Sequence, residues 1–225
     1  MSPEPRPLPR AFYERPAPRV AAALLGRMLV RDVRGVRLAG RIVEVEAYRA
    51  ARDPASHAYR GRTERNRVMF GPPGHAYIYF TYGMHHCLNV VTEPTGTASA
   101  VLIRALEPVT GLEPMRRRRR LAADTPDLWE RLARGPGCVA QAFGLTRRQD
   151  GCDLTEGPLW IADLPPRRRG FRIARGPRIG IRAAVNRRWR FYLTGHPCVS
   201  GPRSALRRSP RSWAPEAWPS AAVRR

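Results

Sequence analysis

The stretch AYIYFTYGMHHCLNVV, residues 76–91, decides the fold. Two runs rich in aromatic and β-branched residues flank Gly83, which predicts two antiparallel strands joined by a tight turn. Because side chains alternate along a strand, Tyr77 and Tyr79 share one face, and Phe80 and Tyr82 share the other. Tyr82 comes directly before the turn, so we expect it to project from the tip of the hairpin.

Further strands are predicted on both sides of this hairpin. MLVRD (28–32) and VRLAGRIVEVEAY (36–48) flank Arg34 and Gly35 and predict a second hairpin. ASAVLIRALEP (98–108) is apolar on both faces apart from Arg104, which is typical of a central strand. RIGIRAA (178–184) and WRFYLTG (189–195) predict late strands.

The remaining segments predict helices and loops, and the whole predicts one α+β domain with a largely antiparallel, curved sheet and peripheral helices. We expect the domain to cover residues 11–200, with a flexible Pro/Arg-rich arm before it and a flexible Ser/Pro/Arg-rich tail after it. Helices are predicted at 16–25, 111–121 and 127–144 (broken at 135–137), long loops at 49–75 and 163–178, the arm at 1–10 and the tail at 201–225.

The composition of the chain is strongly basic. Its 225 residues include 41 basic and 18 acidic ones, which gives a formal net charge of +23, and every basic residue is an arginine. Such a charge favours a polyanionic partner, nucleic acid before a membrane surface. A general bias towards arginine would give the same charge without any partner, so composition alone leaves both interpretations open.

Cysteine spacing and hydropathy argue against metal and membrane. The four cysteines lie too far apart for a zinc site of ordinary ligand spacing, and the adjacent His85, His86 and Cys87 alternate between strand faces. No apolar run approaches the roughly 18 residues of a membrane span, and no signal-peptide pattern opens the chain. We therefore expect no metal, no membrane contact and a cytoplasmic location.

Glu46 and Arg104 are the first candidates for catalysis. Glu46 lies near the end of an apolar strand beside Tyr48, where a carboxylate acts as a base towards water; the alternative is a solvated strand glutamate. Arg104 needs a partner inside its apolar strand, because an unpaired buried charge is very costly. A nearby carboxylate would supply one, although a plain salt bridge to Glu44 or Glu107 explains Arg104 equally well.

Several of these stretches together resemble a known family. GRIVEVEAY (40–48), DPASHAYRGRTERNRVMFGPPGHAYIYFTYGMHHCLNVV (53–91) and ASAVLIRALEP resemble the alkyladenine (3-methyladenine) DNA glycosylases that lack helix-hairpin-helix motifs. The resemblance continues through MRRRRR, GPGCVAQAFGL, PLWI, PRIGI and FYLTGHPCVS. It implies a monofunctional glycosylase that flips an alkylated or deaminated purine out of duplex DNA and hydrolyses its N-glycosidic bond.

The resemblance also implies a role for each matched residue. Glu46 would activate the attacking water, Arg104 would help to hold that water, and Ile179 would offer it a backbone carbonyl. The family's base pocket corresponds to Tyr48, His57, Tyr79 and Asn89, with Asn89 obstructing the amino group of normal guanine. Tyr82 would intercalate into the duplex. Charge alone makes the arginines of RGRTERNR and MRRRRR the candidates for contacts with phosphates, although the run MRRRRR is equally typical of a solvated charged face.

These implications define the expected partner and its rivals. We expect a monomer that needs no cofactor and acts on double-stranded DNA with damaged purines (3-methyladenine, 7-methylguanine, hypoxanthine or ethenoadenine), associated with a bacterial nucleoid. A non-catalytic protein that binds damaged DNA is the alternative. A basic ribosomal protein would explain the charge but not the pocket residues.

The absence of lysine gives the first testable prediction. Glycosylases that also nick DNA need an amine nucleophile, and an arginine guanidinium stays protonated at physiological pH. We expect no strand cleavage without alkali, and no covalent protein–DNA adduct on borohydride treatment of a reaction with lesion DNA. A trapped adduct would contradict the prediction and implicate the N-terminal amine.

Overall fold

The body of the protein is one curved antiparallel sheet with helices packed against it, an α+β domain as predicted. The computed structural model describes residues 5–50, 52–163 and 170–201. The sheet strands within these residues are β1 Met28–Val33, β2 Val36–Tyr48, β3 Ala76–Thr81, β4 His85–Thr92, β5 Ser99–Thr110, β6 Leu159–Ile161, β7 Ile173–Gly176 and β8 Arg190–Leu193. The α-helices are α1 Arg10–Tyr13, α2 Ala17–Leu24, α3 Leu112–Arg119, α4 Leu128–Leu132 and α5 Pro136–Phe143, and 3-10 helices cover Arg67–Phe70 and Arg147–Gln149.

Strand β2 lies at the centre of this sheet and contacts three partners. One of its edges pairs with β5, while the other pairs first with β1 and then, over Glu44–Glu46, with β8. The second half of β2 is therefore covered on both edges, and it is buried. Two carboxylates in this half, Glu44 and Glu46, are thus removed from water and need partners from the neighbouring strands.

The pairing of β2 with β5 is irregular beside these carboxylates. Glu44 lies opposite Ala105 and Val45 lies opposite Ile103, so Arg104 has no partner in the register. An extra residue of this kind is a β-bulge, which bends the strand and redirects a side chain. Here the bulge directs the Arg104 side chain towards Glu44 and Glu46.

The main hydrophobic core lies between the sheet and the helices. Helices α2 and α5 pack on β2, β4 and β5, and α5 begins with Pro136 at its first turn and ends at Gly144 in the left-handed conformation. A second apolar cluster, which includes Met69 and Tyr77, lies beneath the loop 52–75. None of the helices in the described parts of the chain is long and apolar enough to cross a membrane.

Most of the predicted elements are confirmed. Both hairpins form, β5 lies inside the sheet between β4 and β2, and the helical segments before and after the sheet strands are present. The break predicted at 135–137 is the start of α5, where Gly135 has a φ of 116°.

The prediction of a strand at RIGIRAA is wrong. Residues 177–189 form an irregular segment that includes turns, although β8 follows them as predicted. The backbone N–H of Ile179 donates to the Glu46 side chain instead of to a neighbouring strand, and Ala184 has a φ of 51°. Conversely, the sequence predicts no strand at β6 and a loop at β7. Short strands such as these are specified mainly by the strands with which they pair.

Residues 5–10, which belong to the predicted arm, contact the folded domain. Pro7 forms a β-bridge with Ala162, the backbone N–H of Leu8 donates to Ile161 O, and the Leu8 side chain is buried in the main core. The sequence signal for this contact was Leu8 itself, a single apolar residue in a Pro/Arg-rich segment. The average composition of the segment does not show one such buried residue. Residues 1–4 and 202–225, which complete the predicted arm and tail, lie outside the described residues.

Replacement of Leu8 tests this anchor. Leu8→Ala should lower the free energy of unfolding by about 2–5 kcal/mol, because it removes a fully buried side chain and leaves a cavity. Urea denaturation measures the change. Leu112→Ala, at a position 38% exposed, is the control and should change the value by less than about 0.5 kcal/mol; equal effects would mean that Leu8 is not anchored.

Candidate functional site

A cavity of about 480 Å³ lies between the hairpin β3–β4, the loop 52–75 and the irregular segment 177–189. Its walls bring together seven of the eight residues that the sequence singled out, although they come from distant parts of the chain. These seven are Tyr48, His57, Tyr79, Tyr82, Asn89, Arg104 and Ile179. The eighth, Glu46, is fully buried directly behind three of them.

The Glu46 carboxylate is held by three donors. Its Oε1 accepts a hydrogen bond from the Ile179 backbone N–H at 2.7 Å and lies 3.3 Å from Arg104 Nη1. Its Oε2 accepts a hydrogen bond from the Tyr48 hydroxyl at 2.7 Å. These contacts to both carboxylate oxygens fix the orientation of the Glu46 side chain.

Arg104 connects Glu46 to a second buried carboxylate, Glu44. Arg104 Nε donates to Glu44 Oε1 at 3.1 Å, so the salt bridge considered from the sequence exists beside the contact with Glu46. Arg190 Nε donates to the same oxygen at 2.6 Å, and the Ser200 backbone N–H donates to Oε2 at 2.6 Å. Glu107, the other candidate partner, is paired with Arg41 instead.

A second buried ion pair holds the segment that carries Ile179. Arg178 and Asp53 are both fully buried and form two parallel hydrogen bonds of 2.5 and 2.7 Å. Arg178 also donates to Ala47 O at 3.0 Å, and its guanidinium lies over the rings of Tyr48 and Trp189. The pair thus ties the loop 52–75 and the segment 177–189 to the end of β2.

Aromatic rings form one wall of the cavity. His57 and Tyr79 meet edge to face with ring centroids 4.4 Å apart, and His57 Nδ1 shares a 3.0 Å hydrogen bond with the Tyr77 hydroxyl. Burial and then the charge of Arg65 lower the pKa of His57, so its ring is neutral at pH 7. Burial raises the pKa of Tyr77 to about 12 and raises that of Tyr79 further, so both hydroxyls stay protonated.

Asn89 and Cys87 lie beneath this wall on the neighbouring strand. Asn89 is paired with Tyr77 across the hairpin, and its Nδ2 donates to Tyr77 O at 3.1 Å, which fixes the orientation of its amide. Cys87 is paired with Tyr79 in the same register. Burial raises the pKa of the Cys87 thiol, which therefore stays in its neutral form at pH 7.

Tyr82 projects from the tip of the hairpin, as predicted. Its side chain is 79% exposed and that of the neighbouring Met84 is 70% exposed. Tyr82 also has a φ of 51°, a left-handed conformation that costs a residue other than glycine about 1–2 kcal/mol. A bulky aromatic residue held in this conformation and exposed to solvent has no packing role of its own, and such strain is typical of functional sites.

Comparison with known proteins identifies the family. A family model described as methylpurine-DNA glycosylase matches residues 11–197. The chain belongs to this family. A Burkholderia lata protein named "Putative 3-methyladenine DNA glycosylase" is 52% identical over 202 residues, which cover 87% of this chain and 91% of that protein. A Bacillus cereus (strain AH820) protein of the same name is 46% identical over 200 residues, covering 85% and 98%.

Family membership establishes the coarse activity, that of a DNA glycosylase, a hydrolase of N-glycosidic bonds in DNA. The structure shows that Arg104 contacts Glu44 and Glu46 together, and it adds the pair of Asp53 and Arg178, which the sequence did not predict. Asp53 belongs to the stretch DPASH, where a carboxylate in a basic loop was an available signal. No group of three metal-ligating side chains is assembled within the described residues.

The buried pair of Asp53 and Arg178 gives a prediction about stability. Arg178→Met should lower the free energy of unfolding by about 3–5 kcal/mol, because it leaves the Asp53 carboxylate buried without its cation. In the double variant with Asp53→Asn, the loss should be smaller than the sum of the single losses. Additive losses in denaturant titrations would mean that the two side chains do not interact.

Proposed function

We propose that the protein is a monofunctional glycosylase that hydrolyses the N-glycosidic bond of alkylated or deaminated purines with a water activated by Glu46. The observation that carries this proposal is a buried, fully oriented carboxylate directly behind a cavity lined by aromatic rings. A binding protein that does not catalyse has no need of such a carboxylate, because lesion recognition requires the cavity alone.

In the proposed reaction, the attacking water is bound by the Glu46 carboxylate. The water oxygen bonds to C1′ of the sugar while the bond from C1′ to the purine nitrogen breaks, and its electron pair leaves with the base. The water's proton passes to Glu46. The carboxylate would also face the positive charge that develops on the sugar, and Arg104 and the Tyr48 hydroxyl keep it oriented. The carbonyl of Ile179 is proposed as a further acceptor for this water.

The cavity provides the proposed base pocket. Tyr48 forms one wall, and His57 and Tyr79 form the other, so that a flipped purine stacks between them. Alkylation at N3 or N7 makes the purine cationic, which strengthens its attraction to tyrosine rings and weakens its glycosidic bond. The same groups suit hypoxanthine and ethenoadenine in shape, and Asn89 is proposed to obstruct the amino group of normal guanine.

Tyr82 is the proposed wedge that replaces the flipped nucleotide. An exposed aromatic side chain at a hairpin tip suits entry into the minor groove and separation of stacked base pairs. Arg65, whose guanidinium lies 5.7 Å from the Tyr79 ring, is near the mouth of the cavity and is proposed to contact a phosphate there. Double-stranded DNA is thus the proposed partner of a monomer that associates with a bacterial nucleoid in the cytoplasm.

Replacement of Glu46 tests this mechanism. Glu46→Gln should lower the single-turnover rate of base release from a duplex with one hypoxanthine by about 10²–10⁴-fold, because the amide keeps the shape but cannot accept the water's proton. Release is measured as alkali-sensitive strand breaks at the abasic site. Binding of the same duplex should be retained.

Glu64→Gln is the matched control for this experiment. This substitution removes one negative charge, as Glu46→Gln does. Glu64 lies in the loop 52–75, but its side chain is 96% exposed and does not line the cavity. Its rate should equal that of the wild type. Base release by Glu46→Gln at the wild-type rate would remove Glu46 from the mechanism, and absence of release by the wild type on every purine lesion would favour the non-catalytic alternative.

A further inference from the structure

A second cavity is lined by the other end of the hairpin tip, Met84 to His86, next to the proposed base pocket that Tyr82 lines. It has a volume of about 700 Å³, and it separates Met84 and His86 from the end of α3 and from α5. We call it the arginine groove, and its polar lining includes Arg118, Arg120, Gln141 and Thr146. None of its described lining residues is acidic.

The arginines at the end of α3 differ in what they contact. Arg116 and Arg117 form hydrogen bonds with the Glu113 carboxylate, and Arg119 donates to Gln141 Oε1. Arg118 and Arg120 have no carboxylate within ion-pair distance among the described residues. These two charges therefore face the arginine groove without neutralisation by any described neighbour.

A third cation increases the positive charge behind this groove. Arg31 donates to the carbonyl of Phe143 at the end of α5, where Arg118 Nη1 also lies 3.5 Å from Ala142 O. Burial and the charge of Arg118 lower the pKa of Arg31, so the two guanidinium groups repel each other. An anion bound beside them would relieve this repulsion.

The hairpin is held against the floor of the groove. His85 packs on Gly137 so closely that a Cβ at this position would lie 2.9 Å from the His85 ring. Tyr82 lines the base pocket and Met84 lines the arginine groove, so the tip forms the partition between the two cavities. When a hairpin enters a groove of a duplex, one strand lies on each side of it.

We propose that the arginine groove binds phosphates of the DNA strand opposite the flipped nucleotide, through Arg118 and Arg120. This inference rests on the proposed function, since that function directs the flipped nucleotide into the cavity on the Tyr82 side. The opposite strand then passes on the Met84 side, where its phosphates meet the two cations. Arginine binds phosphate oxygens in a fixed, forked geometry, and such contacts do not depend on base sequence.

The test measures how duplex affinity depends on salt. Neutralisation of each phosphate contributes about 0.9 to the slope of log affinity against log salt. Loss of two contacts in Arg118→Gln/Arg120→Gln should reduce the slope by about 1.8, so the fall in affinity from about 50 to about 200 mM salt should be about 12-fold smaller. The full chain is titrated with a duplex that contains one hypoxanthine, and thermal midpoints check that the variants are folded.

Arg19→Gln/Arg34→Gln is the matched control, because it removes the same charge from two exposed positions that line neither cavity. Its slope should stay close to that of the wild type. An unchanged slope in Arg118→Gln/Arg120→Gln, or an equal change in the control, would overturn the proposal.

A second arm identifies the strand. Uncharged methylphosphonates replace three consecutive phosphates on either side of the lesion, in one strand at a time. Patches in the opposite strand should weaken binding by the wild type but should add little to the loss in Arg118→Gln/Arg120→Gln, since the partners are then already absent. The assignment would be overturned if patches in the lesion strand, and not those in the opposite strand, weakened binding by the wild type but added little to the loss in Arg118→Gln/Arg120→Gln. Because both arms measure binding, failure of base release by the wild type would refute the proposed function separately.

Discussion

The arrangement of the site depends on the need to neutralise Glu44 and Glu46 inside the sheet. Both carboxylates lie on the half of β2 that β5 and β8 cover, so each must find donors in place of water. The bulge at Arg104 and the approach of Arg190 from β8 supply cations, and the backbone N–H of Ile179 and the Tyr48 hydroxyl supply the remaining hydrogen bonds. Because Arg104 contacts both carboxylates and each carboxylate has further donors, neither side chain has much freedom to rotate.

The same constraint explains why irregular backbone surrounds the cavity. Residues 177–189 do not continue the sheet, because the backbone N–H of Ile179 donates to the Glu46 carboxylate and the Arg178 side chain is paired with Asp53. These contacts bring the segment over the end of β2, where it closes one side of the cavity. Buried ion pairs contribute little net stability compared with apolar packing, but they fix the geometry of the groups that they join. In this protein that geometry is the position of a carboxylate relative to a cavity.

The tip of the hairpin β3–β4 lines two cavities with different chemistry. On one side, neutral His57 and protonated tyrosines line an aromatic cavity, and the Glu46 carboxylate lies behind it. On the other side, the arginine groove carries cations and no described acid. In the proposed complex, a flipped base would enter the aromatic cavity, and phosphates of the opposite strand would meet the cations of the arginine groove.

The sequence by itself predicted strands β1–β5 and β8, the exposed position of Tyr82 and the candidate residues around Glu46. These follow from local patterns, since alternation and turn residues specify strands, and the resemblance to a family supplied the matched positions. Tertiary structure alone decided that Arg104 joins Glu46 to Glu44, that Ile179 donates through its backbone N–H, and that Leu8 is anchored. Each of these contacts joins residues at least 58 positions apart, and only the folded chain brings such residues together.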